Sequence, residues 1–375
     1  MTTDATRVQV EASPLDGTAR RRLPGPDVVR AVALIGVVVM NYHGYLLIRG
    51  GEQGDDRIDR IFDPWDGPLA TRFAATFVLV AGVGVTLLTT SRAADQEAMT
   101  SMRWRLVRRG LLLYLAGLVF DTVWSGTILP FYGAMFVIAA VIVTWAGRWV
   151  LTLGAASAVA GAAIAWWRFE RQLDGHSTEW LDRGQRSPRA LLLDVFVNGT
   201  HPLLPWLAFF AAGIVLGRML GATWWRPAAL GFGATLWVAA TIVSDAVTAP
   251  DPGSSVAMLL ASDDPFDRGL VYAASALGTA LLAFAVISWV ADRYAGRPAV
   301  EVLRIAGEMS LTLYVLHGLV FNLLVDWWGV VRPTGLDTAL TFAVGYWIVG
   351  LCAAWLWSRR FDRGPLEIAY RRITA

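Results

Sequence analysis

Apolar residues run along this chain in blocks of about twenty, each closed by a short polar stretch rich in Arg, Asp, Gly or Pro. Ten such blocks stand out, at 28–48, 68–90, 107–123, 127–146, 149–167, 202–220, 227–248, 269–290, 303–325 and 337–357. A helix rises 1.5 Å per residue, so ~20 apolar residues cross the ~30 Å hydrocarbon layer of a bilayer. The pattern therefore predicts an all-α, polytopic membrane bundle of about ten transmembrane helices. The third block is only just long enough. The fifth is dense in small residues ("LGAASAVAGAAIA"), which let helix backbones approach closely in lipid. No repeat of 20–50 residues suggests a solenoid.

Composition agrees with this reading. Hydrophobic residues make up 55% of the 375 residues and charged ones 17%, against roughly 25% in soluble domains. Residues 1–26 are polar and end in "ARRRLPGP", which reads as a flexible cytoplasmic lead-in. The block that follows is too long for a signal-peptide core and lacks a small-residue cleavage site. Residues 27–375 form a single transmembrane domain, since no long charged linker divides them. With the N-terminus cytoplasmic, most arginines fall on the inner side, as the positive-inside rule requires. An even number of spans returns Arg359, Arg360, Arg363, Arg371 and Arg372 to the same side. Both termini are thus expected in the cytoplasm. The loop at 249–268 is acidic, with Asp251, Asp263, Asp264 and Asp267 against Arg268. All 32 basic residues are arginine, and no basic block stands apart from the spans, which argues against nucleic acid. The lone Cys352 excludes an internal disulfide.

Polar side chains inside the spans are the candidate chemistry, because burying them in lipid is costly. His43 lies thirteen residues after Arg30 and His317 thirteen after Arg304, while Asp121 lies twelve after Arg109. On outward-running helices these steps put all three at one height, ~20 Å above the inner arginines. His43, His317 and Asp121, with Asn41 just below, would form one site if their helices are neighbours. A neutral imidazole can take a proton from a hydroxyl or amine nucleophile, and a carboxylate can orient it. An amide such as Asn41 can donate to a developing oxyanion. The plainer reading of each is a helix-to-helix hydrogen bond or, for Asp121, an interfacial carboxylate.

At the inner end of the third block, Arg105, Arg108 and Arg109 share a helix face at i, i+3 and i+4. Guanidinium forks suit a phosphorylated donor, although arginines there also serve topology and lipid headgroups. His176 and His201 sit in or beside the loop at 168–201. His201, which opens "HPLLPWLAFF", is a weaker acceptor-site candidate. The four histidines show no metal-binding spacing, and no P-loop, dinucleotide fingerprint or nucleophile elbow is present.

Five stretches in order resemble one family. "PDVVRAVALIGVVVMN", "ILPFYGAMFVI", "HPLLPWLAFFAAGIVLGR", "GEMSLTLYVLHGL" and "WSRRFDRGPLEIAYRRIT" are similar to blocks of the YeiB-like membrane proteins, the last being the most specific. That family looks like a branch of a transmembrane acyltransferase superfamily, with heparan-α-glucosaminide N-acetyltransferase and the acyltransferase type 3 proteins as relatives. The resemblance implies about ten core helices, a cytoplasmic acyl-CoA donor (most simply acetyl-CoA) and an acceptor hydroxyl or amine on the far side. Type 3 relatives carry a first-helix histidine where this chain has Asn41, and His43 lies two residues further on. On this reading the donor meets Arg105, Arg108 and Arg109, with Tyr132 and Gly133 beside the acyl channel. His43 is the base or acyl carrier, supported by Asn41, Asp121 and His317. No metal is required. Partners would be acyl-CoA, an envelope glycan or glycolipid, membrane lipids and possible copies of the chain itself. The expected location is a bacterial inner (cytoplasmic) membrane. A transporter or flippase for a small polar or lipid-linked substrate is the alternative, and a non-catalytic scaffold for envelope assembly the third reading. The lack of an evident repeat between the two halves weighs against the transporter.

Overall fold

A computed structural model describes residues 24–90, 95–181, 187–247 and 261–374. Most of the expected lead-in at 1–26 and part of the acidic loop at 249–268, Asp251 included, lie outside them. Fourteen α-helices are present among the described residues, and no strand. In chain order they are α1 Gly25–Ile48, α2 Arg57–Ile61, α3 Arg72–Thr89, α4 Gln96–Phe120, α5 Leu129–Ile142, α6 Gly147–Leu173 and α7 Pro188–Leu193. They continue with α8 Leu203–Met219, α9 Trp225–Val247, α10 Leu270–Arg293, α11 Pro298–Glu308, α12 Ser310–Phe321, α13 Leu336–Ser358 and α14 Pro365–Ile373.

Seven helical segments are long and apolar enough to cross a membrane, or eight with the pair 188–198 and Leu203–Met219, bent by 59°. The sequence led us to expect ten. The two expected spans that do not qualify are α4 and α5. Helix α4 carries four arginines between Arg103 and Arg109, and α5 has only 14 residues, ~21 Å of helix. Each lies where its apolar block predicted a helix. The block at 303–325 is not one helix: α11 stops at Glu308, and α12 starts anew after Met309.

Helix α1 is the central post. It packs against α3, α10, α11, α12 and α13, with Val29, Ala31, Leu34, Val38, Tyr42 and Leu46 fully buried. Helix pairs meet at small residues. A Cβ on Gly213 of α8 would lie 2.0 Å from the Leu79 carbonyl oxygen of α3, and one on Gly133 of α5 would lie 2.6 Å from the Gly110 oxygen of α4. The small-residue stripe of α6 packs on α8 in the same way, with a Gly154 Cβ 2.9 Å from Ala211. Large apolar side chains such as Val119, Ile242 and Val349 are exposed on the outer faces, which in water would be costly and in lipid is not. The fold is that of an integral membrane helical bundle.

Candidate active site

Helix α12 begins without a cap of its own, since Met309 supplies no side-chain bond to it. The first amides of a helix need acceptors, and here they come from the far end of the chain. Glu367 of α14 accepts from Leu311 N at 2.7 Å, Thr312 N at 3.0 Å and Thr312 Oγ1 at 2.6 Å. The "MSLT" and "GPLE" blocks are thus two halves of one joint. Gly364 is needed there, because a Cβ would fall 2.2 Å from the Glu367 carboxylate. The joint fixes the start of α12, and so the register of Tyr314 and His317 one and two turns further on.

Two cavities lie on either side of Tyr314. The first, about 590 Å³, is lined by Arg30, Arg109, Arg363 and Arg371, with Tyr132, Tyr370, Glu308 and Glu367. Arg109 is buried, its guanidinium 5.6 Å from the Tyr370 ring. Tyr370 Oη donates to the Arg109 carbonyl at 3.2 Å. Burial pushes the Tyr370 hydroxyl above its ordinary range, against the opposing pull of Arg109, so it is a neutral donor. Arg30 also pairs with Asp27 at 3.5 Å. The second cavity, about 240 Å³, is lined by Asn41, Tyr45, Trp65, Trp124, Thr200 and His201. Phe77, Ile128 and Tyr314 line both. Tyr314 Oη accepts from Ile128 N at 3.0 Å and lies 3.1 Å from Thr127 Oγ1, which fixes it in this shared wall.

Hydrogen bonds set the tautomers of the histidines. Thr200 donates its hydroxyl proton to the Gly126 carbonyl at 3.1 Å, so its oxygen accepts from His201 Nδ1 at 3.0 Å. That leaves the lone pair on His201 Nε2. Asp121, at the end of α4, accepts from Gly126 N at 2.9 Å and holds the turn that this relay uses. His317 Nδ1 donates to the Tyr314 carbonyl, so its Nε2 accepts from Asn41 Nδ2 at 3.2 Å. His317 is fully buried against Tyr42, Trp124 and Tyr314, and both its nitrogens are engaged.

Two family models match the chain. One, heparan-alpha-glucosaminide N-acetyltransferase, catalytic, matches residues 22–244, more than half the length. This chain belongs to the heparan-α-glucosaminide N-acetyltransferase catalytic family. The other, described as a protein of unknown function (DUF418), matches residues 230–375 and agrees with the YeiB-like resemblance. No curated protein matches the chain. Membership in the N-acetyltransferase family supports a membrane protein of acetyltransferase type.

Within this N-acetyltransferase-family chain, the expected site residues do not all come together. Asn41 meets His317 and lines the second cavity; His43 lines neither cavity. Two residues on a helix are ~200° apart, so His43 faces away. Its ring is fully buried and its Nδ1 donates to the Phe62 carbonyl at 2.8 Å, tethering the segment after α2. Asp121 touches no histidine directly and acts through Gly126 and Thr200. Of the three arginines expected to meet the donor, Arg109 lines the first cavity, while Arg105 and the exposed Arg108 do not. Tyr132 lines it too, but Gly133 is taken up by the contact with α4. The sequence reading missed Arg30, Arg363, Arg371 and Tyr370, which the fold gathers from both chain ends. His201, the weaker candidate in the sequence, lines the second cavity with Thr200.

Proposed function

We propose that the protein moves an acyl group, most simply acetyl, from cytoplasmic acyl-CoA to a hydroxyl or amine of an extracytoplasmic envelope glycan or glycolipid. The observation that carries this reading is the shared wall of Phe77, Ile128 and Tyr314 between an arginine-lined cavity and one lined by His201, whose Nε2 keeps its lone pair. Arg30, Arg109, Arg363 and Arg371 match the phosphates of CoA, since guanidinium groups bind phosphate as forks. The excess of arginine on that face supports a cytoplasmic side for it. The pantetheine arm would then carry the thioester to Tyr314.

His201 Nε2 takes the proton of the acceptor O–H or N–H, and the freed lone pair attacks the thioester carbonyl carbon. The C–S bond breaks, and the proton passes to the departing CoA thiolate. Asn41, held by His317, keeps a free N–H for the oxyanion. His43 has no part in these steps.

The experiment is acyl transfer in membranes supplied with labelled acetyl-CoA and an envelope-glycan fraction. A general base is worth roughly 10²–10⁴ in rate, so His201→Ala should lose that much, while His43→Ala transfers normally if it folds. Full activity in His201→Ala removes the base. Movement of acceptor across vesicles with no acyl transfer would favour a transporter, for which two cavities meeting at an aromatic wall are also suited.

A further inference from the structure

A groove of about 710 Å³ runs between α12 and α13 and shares no residue with either cavity of the candidate site. Leu313, Leu316 and Val320 form one wall, and Phe342, Gly345 and Val349 the other. The buried hydroxyls along it are spent elsewhere: Thr312 donates to Glu367 at 2.6 Å and Tyr346 to the Leu313 carbonyl at 2.6 Å. Leu316 is 42% exposed and Val349 69%, so the groove is open along its side. A Cβ on Gly345 would meet nothing within 4 Å, so the wall there has room in front of it. From Met309 to Leu324 the groove follows the chain for fifteen residues, ~22 Å at 1.5 Å per residue. The hydrocarbon of one leaflet is ~15 Å deep, half of the ~30 Å core. A lipid acyl chain suits that length and those apolar walls.

One end of the groove is charged. At Met309 it meets a further cavity, about 330 Å³, lined by Glu301, Arg304, Glu308, Ser358, Asp362 and Arg363. Trp357 joins the two, lining the groove while its Nε1 donates to the Arg363 carbonyl at 2.8 Å. Indole rings commonly sit in this way at the level of lipid headgroups.

The charges of that cavity are particular. Arg304 is already held by Glu301 at 2.6 Å and by Glu308 at 2.8 Å. The side chains of Asp362 and Arg363 make no hydrogen bond or ion pair among the described residues. One guanidinium and one carboxylate are thus left for a ligand, and Arg363 suits a phosphate. Three carboxylates against two guanidinium groups also leave a net charge of −1, which favours a cation beside that phosphate. Ser358 donates to the Trp355 carbonyl at 2.8 Å, so its oxygen can accept from the same cation. A primary ammonium brings three N–H donors to Asp362 and Ser358. A quaternary ammonium brings none, and a glycerol headgroup leaves the surplus carboxylate without a counter-charge.

We propose that the groove between α12 and α13 holds an acyl chain of a phospholipid whose headgroup bears a primary ammonium and lies in the adjoining charged cavity. Its test is native mass spectrometry of the purified, delipidated chain in detergent, with dioleoyl phosphatidylethanolamine, phosphatidylcholine and phosphatidylglycerol added in turn. The ethanolamine lipid should bind with a Kd about tenfold below the other two, a gap of roughly 1.4 kcal/mol. Asp362 is exposed, and Asp362→Asn should narrow its gap over phosphatidylcholine to about twofold. Gly345→Trp, which fills the groove and leaves the charged cavity intact, should weaken the ethanolamine lipid about tenfold. Equal affinities, a preference for phosphatidylglycerol, no lipid retained, or either variant binding like wild type would each overturn it. A dimer that forms in place of the lipid complex would overturn it too, giving the groove to a second copy of the chain. The wild-type comparison decides even if Gly345→Trp does not fold.

Discussion

Removing the Glu367 carboxylate should release the start of α12. It accepts three hydrogen bonds, from Leu311 N, Thr312 N and Thr312 Oγ1. A single hydrogen bond to a charged group contributes about 1.5–3 kcal/mol, and a carboxylate at a helix N-terminus about 0.3–1 kcal/mol more. The three bonds share one carboxylate and do not add fully. Glu367→Ala should therefore cost about 3 kcal/mol locally, and Glu367→Gln, which keeps an acceptor but loses the charge, about 1 kcal/mol. Because 1.4 kcal/mol is tenfold in an equilibrium, amide protection at Leu311 and Thr312 should fall by about 100-fold in the first variant and several-fold in the second. Hydrogen exchange read by mass spectrometry in detergent measures both. Trypsin cleavage at Arg360 and Arg363 should quicken in step, as α14 loses its hold on α12. Unchanged protection at Leu311 and Thr312 in Glu367→Ala would refute the joint.

Four further outcomes follow from contacts in the structure. Gly213→Ala puts a Cβ 2.0 Å from the Leu79 oxygen, so α3 and α8 must part; overpacking of this kind costs about 1–3 kcal/mol and should lower the melting temperature in detergent. Gly345→Ala on α13 meets nothing within 4 Å and should leave it unchanged or raised. Arg109→Lys keeps the charge but loses the fork, so the acetyl-CoA Kd should rise about tenfold, while Arg108→Ala, outside the cavity, should bind normally by calorimetry. Asp56 caps α2 by accepting from Asp59 N and Ile58 N, and these bonds hold its carboxyl below the ordinary range. The cap is complete above the unfolded carboxylate pKa and is lost as pH falls through the lowered folded value; exchange at Ile58 and Asp59 should quicken only in that acid window.

Hydropathy made the spans legible, because lipid leaves no other way to satisfy a buried backbone than a helix. It did not give helix lengths: α4 begins eleven residues before its apolar block, and α5 has only 14 residues. Height along a helix was legible too, and Asn41 and His317 do meet. Direction around the helix was not: a depth calculation has no azimuth, and this is why His43 was weighed as the base when it faces Phe62. The setting of His201 depends on Gly126, 74 residues away from Thr200, and the cationic cavity on arginines from both chain ends. Such distances carry no local signal.

One long-range link left a trace in the sequence nevertheless. A helix that starts inside a bundle with Met309 before it has no cap of its own, yet its amides cannot go unpaired in a low-dielectric setting. Some acceptor must arrive from elsewhere. Glu367 sits in an amphipathic helix behind a glycine that would clash if it carried a side chain. That helix faces the same end of the bundle as the uncapped start. An uncapped internal helix and a displaced acid are two halves of one requirement, and together they tie the chain's last helix to Tyr314, the residue that stands between the two cavities.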